Sequence, residues 1–319
     1  MSLAADALQP TFVRGLFSLR GRALVANLPD IITSARKAGF DLDFVNSDYV
    51  RIDFRDPIFV ADAIGGDASR FAIAAFVSLS SLAELSRVNS FAWEMIKLYY
   101  AAFYAAHCIL RLAGESCSNL DGNHIARLQQ LAAITEPGQS FPLSGGLHHC
   151  VLHGSQTGFS IKKAQVPSGG DHAAFWKIFS AFLAAHDEKV LLGHLPPSDA
   201  TQVFLKLSAL RVILNGHGST AGNWLSRIRN ELQYRHAFGA WPPSSIKQAR
   251  RDLLLRLAVQ WKGDPMGIEL EYPPGKEFGE FVSACSFLVA LCRALWERLA
   301  RLSSEGVHSF AKGPLQYCI

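Results

Sequence analysis

Within the stretch RIRNELQYRH, from Arg227 to His236, an Arg-Asn pair at Arg229 and Asn230 precedes a histidine at His236, with six residues between Arg229 and that histidine. A regular helix turns once in about 3.6 residues, so Arg229 and His236 are expected on nearly one face, about 10 Å apart along the axis. Imidazole moves a proton near neutral pH, and a guanidinium neutralises charge on a developing phosphorane. With Asn230 to orient the phosphate or the histidine, these groups suffice to cleave a phosphodiester without a metal or a cofactor. In RNA the 2′-hydroxyl is itself the nucleophile, so the expected products are a 2′,3′-cyclic phosphate and a free 5′-hydroxyl. DNA lacks that group and should survive. Tyr234, Arg235 and Arg227 are the candidate RNA contacts around the motif, by stacking on a base or meeting a phosphate.

Each of these residues also has an ordinary structural role. Arg229 can pair with a carboxylate such as Glu231, and His236 can cap a helix C-terminus, where a cation is favoured. Tyr99, Tyr100, Phe103 and Tyr104 read as core and dimer-interface packing rather than as a nucleotide platform. HHCVLH, from His148 to His153, offers imidazole and thiolate, but its spacing matches no familiar zinc module. The expectation is therefore no metal site. Asp171, His172 and the turn NGHGSTAG around His217 carry no recognisable pattern, and no Walker loop, GxSxG elbow or HExxH occurs.

The elements that must position these groups are mostly helical. SFAWEMIKLYYAAFYAAHCILRLAG is apolar nearly all round, with Ser90 as N-cap and Gly114 as stop, and should lie at the centre of a bundle. Helical patterns run from Ser69 through FAIAAFVSLSSLAELSRV, then through GNHIARLQQLAAI, DHAAFWKIFSAFLAAHDEKVLL and SDATQVFLKLSALRVIL. The motif helix follows, ended by Pro242 and Pro243 in HAFGAWPP. SSIKQARRDLLLRLAVQW is a helix capped by Ser244 or Ser245, MGIELEY a possible strand, and KEFGEFVSACSFLVALCRALWERLARL a long closing helix. Before them, an amphipathic helix runs from about Leu24 to Gly39, and DYVRIDFRDPIFVADAI suggests a strand near Val50–Phe54 with a possible second one after Pro57. The stretch 135–170 is long for a connection, and holds either short strands or a functional loop. The expected organisation is a small α/β portion over 1–67 and a helical domain over 68–319.

Arg229, Asn230 and His236, together with KLYYAAFYAAHCILRLAG from Lys97 to Gly114, make the chain resemble the HEPN superfamily. Its motif is an Arg, usually followed by Asn, His or Asp, then a His after four to six residues. Many members have a first long helix with a paired tyrosine, small residues and a second apolar run. The resemblance covers about Ala68 to Leu302, with insertions. It implies a helical bundle that dimerises about a two-fold axis, bringing the motif of each subunit to a shared cleft. Many members are metal-independent ribonucleases acting in toxin or antiviral systems, some with an antitoxin or activator partner. Others keep the fold for RNA or partner binding only.

Composition permits such a molecule. The 319 residues are 49% hydrophobic and only 18% charged, with 21 Phe, which is ample for a core and favours oligomerisation. The net charge of +4 allows a polyanionic partner without demanding one, and Arg227, Arg229, Arg235, Lys247, Arg250, Arg251 and Arg256 gather near the motif. Six cysteines without CxxC spacing and no signal-peptide pattern fit a reducing cytoplasm. No apolar run is read as reaching the roughly 18 residues needed to span a bilayer, so no membrane partner is expected. The expectation is a mainly α protein, an RNA-cutting homodimer, with a non-catalytic binding module as the alternative.

Overall fold

The computed structural model describes residues 2–21, 28–33, 40–46, 49–54, 56–80, 82, 91–135, 137–138, 140–154, 158–165, 170–219, 221–241, 247–272 and 276–318. In chain order the helices are α1 (Leu3–Leu8), α2 (Leu28–Thr33), α3 (Pro57–Ser80), α4 (Phe91–Leu112), α5 (Gly122–Thr135), α6 (Gly170–Leu191), α7 (Pro197–Leu214), α8 (Trp224–Tyr234), α9 (Gln248–Ala258), α10 (Glu277–Leu302) and α11 (Lys312–Leu315). The strands are β1 (Phe40–Asn46), β2 (Tyr49–Phe54), β3 (Glu115–Leu120), β4 (Gly146–Leu152) and β5 (Gly158–Lys163). The fold is mainly α, with one small sheet among the described residues.

α4 is the central element. It packs against α3, α6, α8, α10 and β3, and all but a narrow stripe of it is buried. Its run of alanines at 101, 102, 105 and 106 lets neighbouring backbones approach closely. Gly114 then stops the helix as expected, with φ +80° and its N–H donated to the Arg111 carbonyl at 2.9 Å. Beside α4, the core of α10 is buried from Phe278 to Trp296 along most of its length. α10 is long and apolar enough to cross a membrane by composition, contrary to the sequence reading, but 83% of its apolar window is buried inside the protein. Its length of apolar chain answers to a helix surrounded by other helices.

The sheet is antiparallel throughout, in the order β1-β2-β5-β4-β3. Val50, Ile161, Cys150 and Ser116 form one cross-strand row on its buried face. This overturns the boundary drawn at 67/68. β2 pairs with β5, so the α/β part is shared between the N-terminal chain and the stretch 135–170, and residue 67 lies inside α3. The reason is physical: a two-stranded hairpin is marginal alone, and β2 gains a ladder partner and a covered face from β5. The stretch 135–170 accordingly holds strands β4 and β5.

Other local expectations differ in identifiable ways. The segment after Pro57 is helix, not strand. Proline suits a first helical position, Asp56 caps it by accepting the Ile58 N–H at 2.8 Å, and Val60, Ile64, Ala68 and Ala72 recur on one buried face. α3 therefore starts well before Ser69. MGIELEY makes no strand: Asp264 caps a short 3-10 turn, and Ile268 and Leu270 drop into the core without a ladder partner. Of the helix expected from Leu24 to Gly39, Leu28–Thr33 is helical, and residues 22–27 and 34–39 lie outside the described residues. Ser90, Pro242, Pro243, Ser244 and Ser245 also lie outside them.

Candidate functional site

α8 presents Trp224, Leu225, Ile228 and Leu232 to the core and is seated against α4, α6 and α7. On its flank, Arg229 is half-buried and reaches across to α4. One Nη donates to Asn230 Oδ1 at 2.7 Å and the other to the Tyr100 hydroxyl. Its guanidinium carbon lies 5.3 Å from the Tyr100 ring centre, 5.8 Å from that of Tyr234 and 6.0 Å from that of Tyr99. Among the described residues no carboxylate pairs with it, and its buried Nε has no hydrogen-bond partner. Glu231, the expected alternative partner, turns to Arg227 at 3.7 Å. Arg229 is thus a positive charge held by neutral groups and aromatic faces, open to an anion. Asn230 acts on the arginine, fixing one edge of its fork.

A histidine that the sequence did not single out stands at this site. His172, in the first turn of α6, has Nδ1 2.8 Å from the Tyr99 hydroxyl, and its ring centre lies 4.4 Å from that of Phe103 and 5.8 Å from that of Tyr100. The Trp176 indole N–H can only donate, and does so to the same hydroxyl at 3.0 Å. The Tyr99 hydroxyl thus joins His172 Nδ1 to the Trp176 indole. Burial lowers the His172 pKa, the Arg229 charge lowers it further, and Asp171 opposes them. Burial also pushes the Tyr99 hydroxyl well above its ordinary value, against the hydrogen bond from Trp176, so it remains a phenol. Tyr99 and His172 are 73 residues apart in sequence, and no local pattern joins them.

His236 is not where a regular helix would carry it. α8 ends at Tyr234, Arg235 closes the last turn on the Glu231 carbonyl at 3.2 Å, and His236 takes a left-handed conformation with φ 51°. The histidine therefore lies past the helix end rather than two turns along the Arg229 face. It is exposed, with its ring centre 5.8 Å from that of Trp241. Trp241 in turn donates its indole N–H to the Leu232 carbonyl at 3.0 Å, satisfying one of the last open carbonyls of α8. The helix is closed by these contacts well before Pro242. Tyr234 and Arg235 are exposed beside His236, whereas Arg227 is tied to the His217 carbonyl and to Glu231.

The basic cluster is less of a surface than its sequence suggests. Arg251 is buried and bonds Glu94 at 2.7 Å, between α9 and α4. Of the histidines of HHCVLH, His148 and His149 lie on β4 and His153 just beyond it. His148 is buried and donates to the Gly146 carbonyl at 2.8 Å, while His149 reaches Glu115 at 2.9 Å. Cys150 is buried, with its thiol pushed up to about 12 by burial, above the range of a ready ligand. Among the described residues no group of three or more His, Cys, Asp or Glu side chains is placed to hold a metal ion. No family model matches the chain, and no curated protein or solved structure matches it either.

Proposed function

We propose that the protein is a metal-independent endoribonuclease of HEPN type, cutting RNA to 2′,3′-cyclic phosphate ends, and that it works as a homodimer in a toxin or antiphage setting. The observation that carries this reading is the half-buried Arg229 guanidinium, fixed by Asn230 and Tyr100 and left without a carboxylate among the described residues. Such a group binds a phosphate and gains as negative charge builds on the equatorial oxygens. His172, held at Nδ1 by the Tyr99 hydroxyl, is a second imidazole beside the phosphate site. His236, with an exposed ring, takes the proton of the 2′-hydroxyl or gives one to the departing 5′-oxygen. The bond made is O2′–P, the bond broken is P–O5′, and no external reductant, oxidant or metal enters.

A non-catalytic RNA-binding or partner-binding module is the second reading. One observation favours it: His236 lies beyond α8, off the face that carries Arg229. Incubating wild-type and His236→Ala protein with total RNA in EDTA separates the two. Cyclic-phosphate fragments from wild type alone support the ribonuclease; RNA bound but uncut by a well-folded protein supports the binding module.

A further inference from the structure

Of the 22 residues of α4, only Trp93, Lys97, Tyr100, Phe103 and Tyr104 escape burial. Positions 93, 97, 100 and 104 are spaced four, three and four apart, so they form one stripe, about 16 Å long at the rise of a regular helix. A helix that is otherwise core would normally turn charged and polar side chains to water. This one turns four aromatics and a lysine, and no acid.

The stripe is continued on both sides by other elements. At one end the exposed Trp93 meets Trp241 edge-on, ring centres 5.9 Å apart, and the His236 ring also lies beside Trp241. In the middle stand Tyr100, Arg229 and Tyr234, the last 67% exposed. At the other end Tyr104 meets Phe71, ring centres 6.2 Å apart, and both line a cleft of about 590 Å³ with Asn119, Ser118 and His124. Arg70 and Arg111 in that cleft both face Asp67, and Asp30 also lines it, so two cations stand with two carboxylates and the cleft suits an uncharged base better than a phosphate.

We propose that this stripe is the binding track of single-stranded RNA. Bases stack at Trp93–Trp241, at Tyr100–Tyr234 and in the Tyr104–Phe71 cleft, while Lys97, Arg229 and Arg235 meet the phosphates between them. The identification deepens the ribonuclease reading and rests on it for Arg229 as the phosphate-holding group. Every base has a π-face, so aromatic platforms with intervening cations recognise unpaired strands with little regard to sequence. A duplex keeps those faces stacked inside itself and offers only its ends. A second copy of the chain is the less suitable occupant, because two stripes face to face would set the same cations against one another.

The test is fluorescence anisotropy in EDTA with a labelled twelve-nucleotide 2′-O-methyl RNA, which cannot be cut, and with the same strand in a duplex. The expected result is binding of the single strand, weakened roughly tenfold in each of Trp93→Ala and Tyr104→Ala, with the duplex a poor competitor. Lys97→Gln, a milder change, lowers the salt dependence by about one ion. Unchanged affinity in the folded alanine variants, equal competition by duplex, or no binding by wild type overturns the track. So does conversion of a dimer to monomers by the same substitutions with RNA affinity intact, which gives the stripe to a second copy. Cleavage of ordinary RNA is assayed separately. Stripe-dependent binding without cleavage leaves the track standing and removes the ribonuclease, and cleavage indifferent to the stripe does the reverse.

Discussion

At Arg229 the telling quantity is charge compensation. Arg111, Arg211 and Arg251 each meet a buried carboxylate, at Asp67 (3.4 Å), Asp187 (3.1 Å) and Glu94 (2.7 Å), whereas Arg229 leans on a phenol, an amide and aromatic rings. Arg229→Gln should therefore lower cleavage about 100-fold while changing stability by no more than about 1 kcal/mol. Arg229→Lys should not rescue it, because an ammonium cannot reach Asn230, Tyr100 and a phosphate with one planar fork. His236 carries a different signature. A β-carbon in the left-handed region is strained, and glycine is not. Thermal denaturation of His236→Gly should show a protein no less stable than wild type, with a gain of up to about 1 kcal/mol, and with cleavage lost. A large drop in its melting temperature would mean that the ring is there for packing on Trp241 rather than for chemistry.

At the scale of elements, α4, α6, α7 and α10 were legible because long apolar periodicity survives any context, and Gly114 marked a real stop. The end of α8 was not, since ELQYRH contains no glycine or proline; a tertiary contact from Trp241 closes it. β4 and β5, left open in the sequence as short strands or a loop, pair with each other, but the other partner of β5, β2, lies far back in the chain, and the α/β boundary failed there. In the site, Arg229 and Asn230 could be read from the motif, but His172 and Tyr100 reach Arg229 only through the packing of α6 and α4 against α8. The joint between α4 and α9 yields a further prediction. Glu94 is fully buried and bonds Arg251, so Arg251→Met leaves a carboxylate without its cation and should cost about 3–5 kcal/mol in urea denaturation. Replacing both by leucine should recover much of that loss. If the single and double variants are equally destabilised, the pair contributes nothing as a pair.

At the scale of the whole molecule, several histidines are folded into places that disfavour their charge. Burial holds His107 well below its ordinary range, with the Arg111 charge adding to the effect and then that of His172. His148, His153, His172 and His186 shift the same way, in each case through burial first. The unfolded chain then binds more protons than the folded one below about pH 6.5, so stability is full above that value and falls as pH drops through it, by up to about 1.4 kcal/mol per pH unit for the fully buried His107 and by less for the others, which solvent screens. Melting temperature should decline from pH 7 towards pH 5.5, and His107→Gln should flatten that decline; a profile unchanged by this substitution would remove His107 as its source. The central claim is that Arg229 holds the phosphate of an RNA whose own 2′-hydroxyl attacks it. Its most direct test is to incubate wild-type and Arg229→Gln protein in EDTA with one RNA strand and with its 2′-O-methyl counterpart, and to identify the fragment ends. The account predicts 2′,3′-cyclic phosphate ends from the wild type acting on RNA, none from the methylated strand, and a loss of about 100-fold in the variant. Cutting of the methylated strand, or undiminished cleavage by Arg229→Gln, would contradict it.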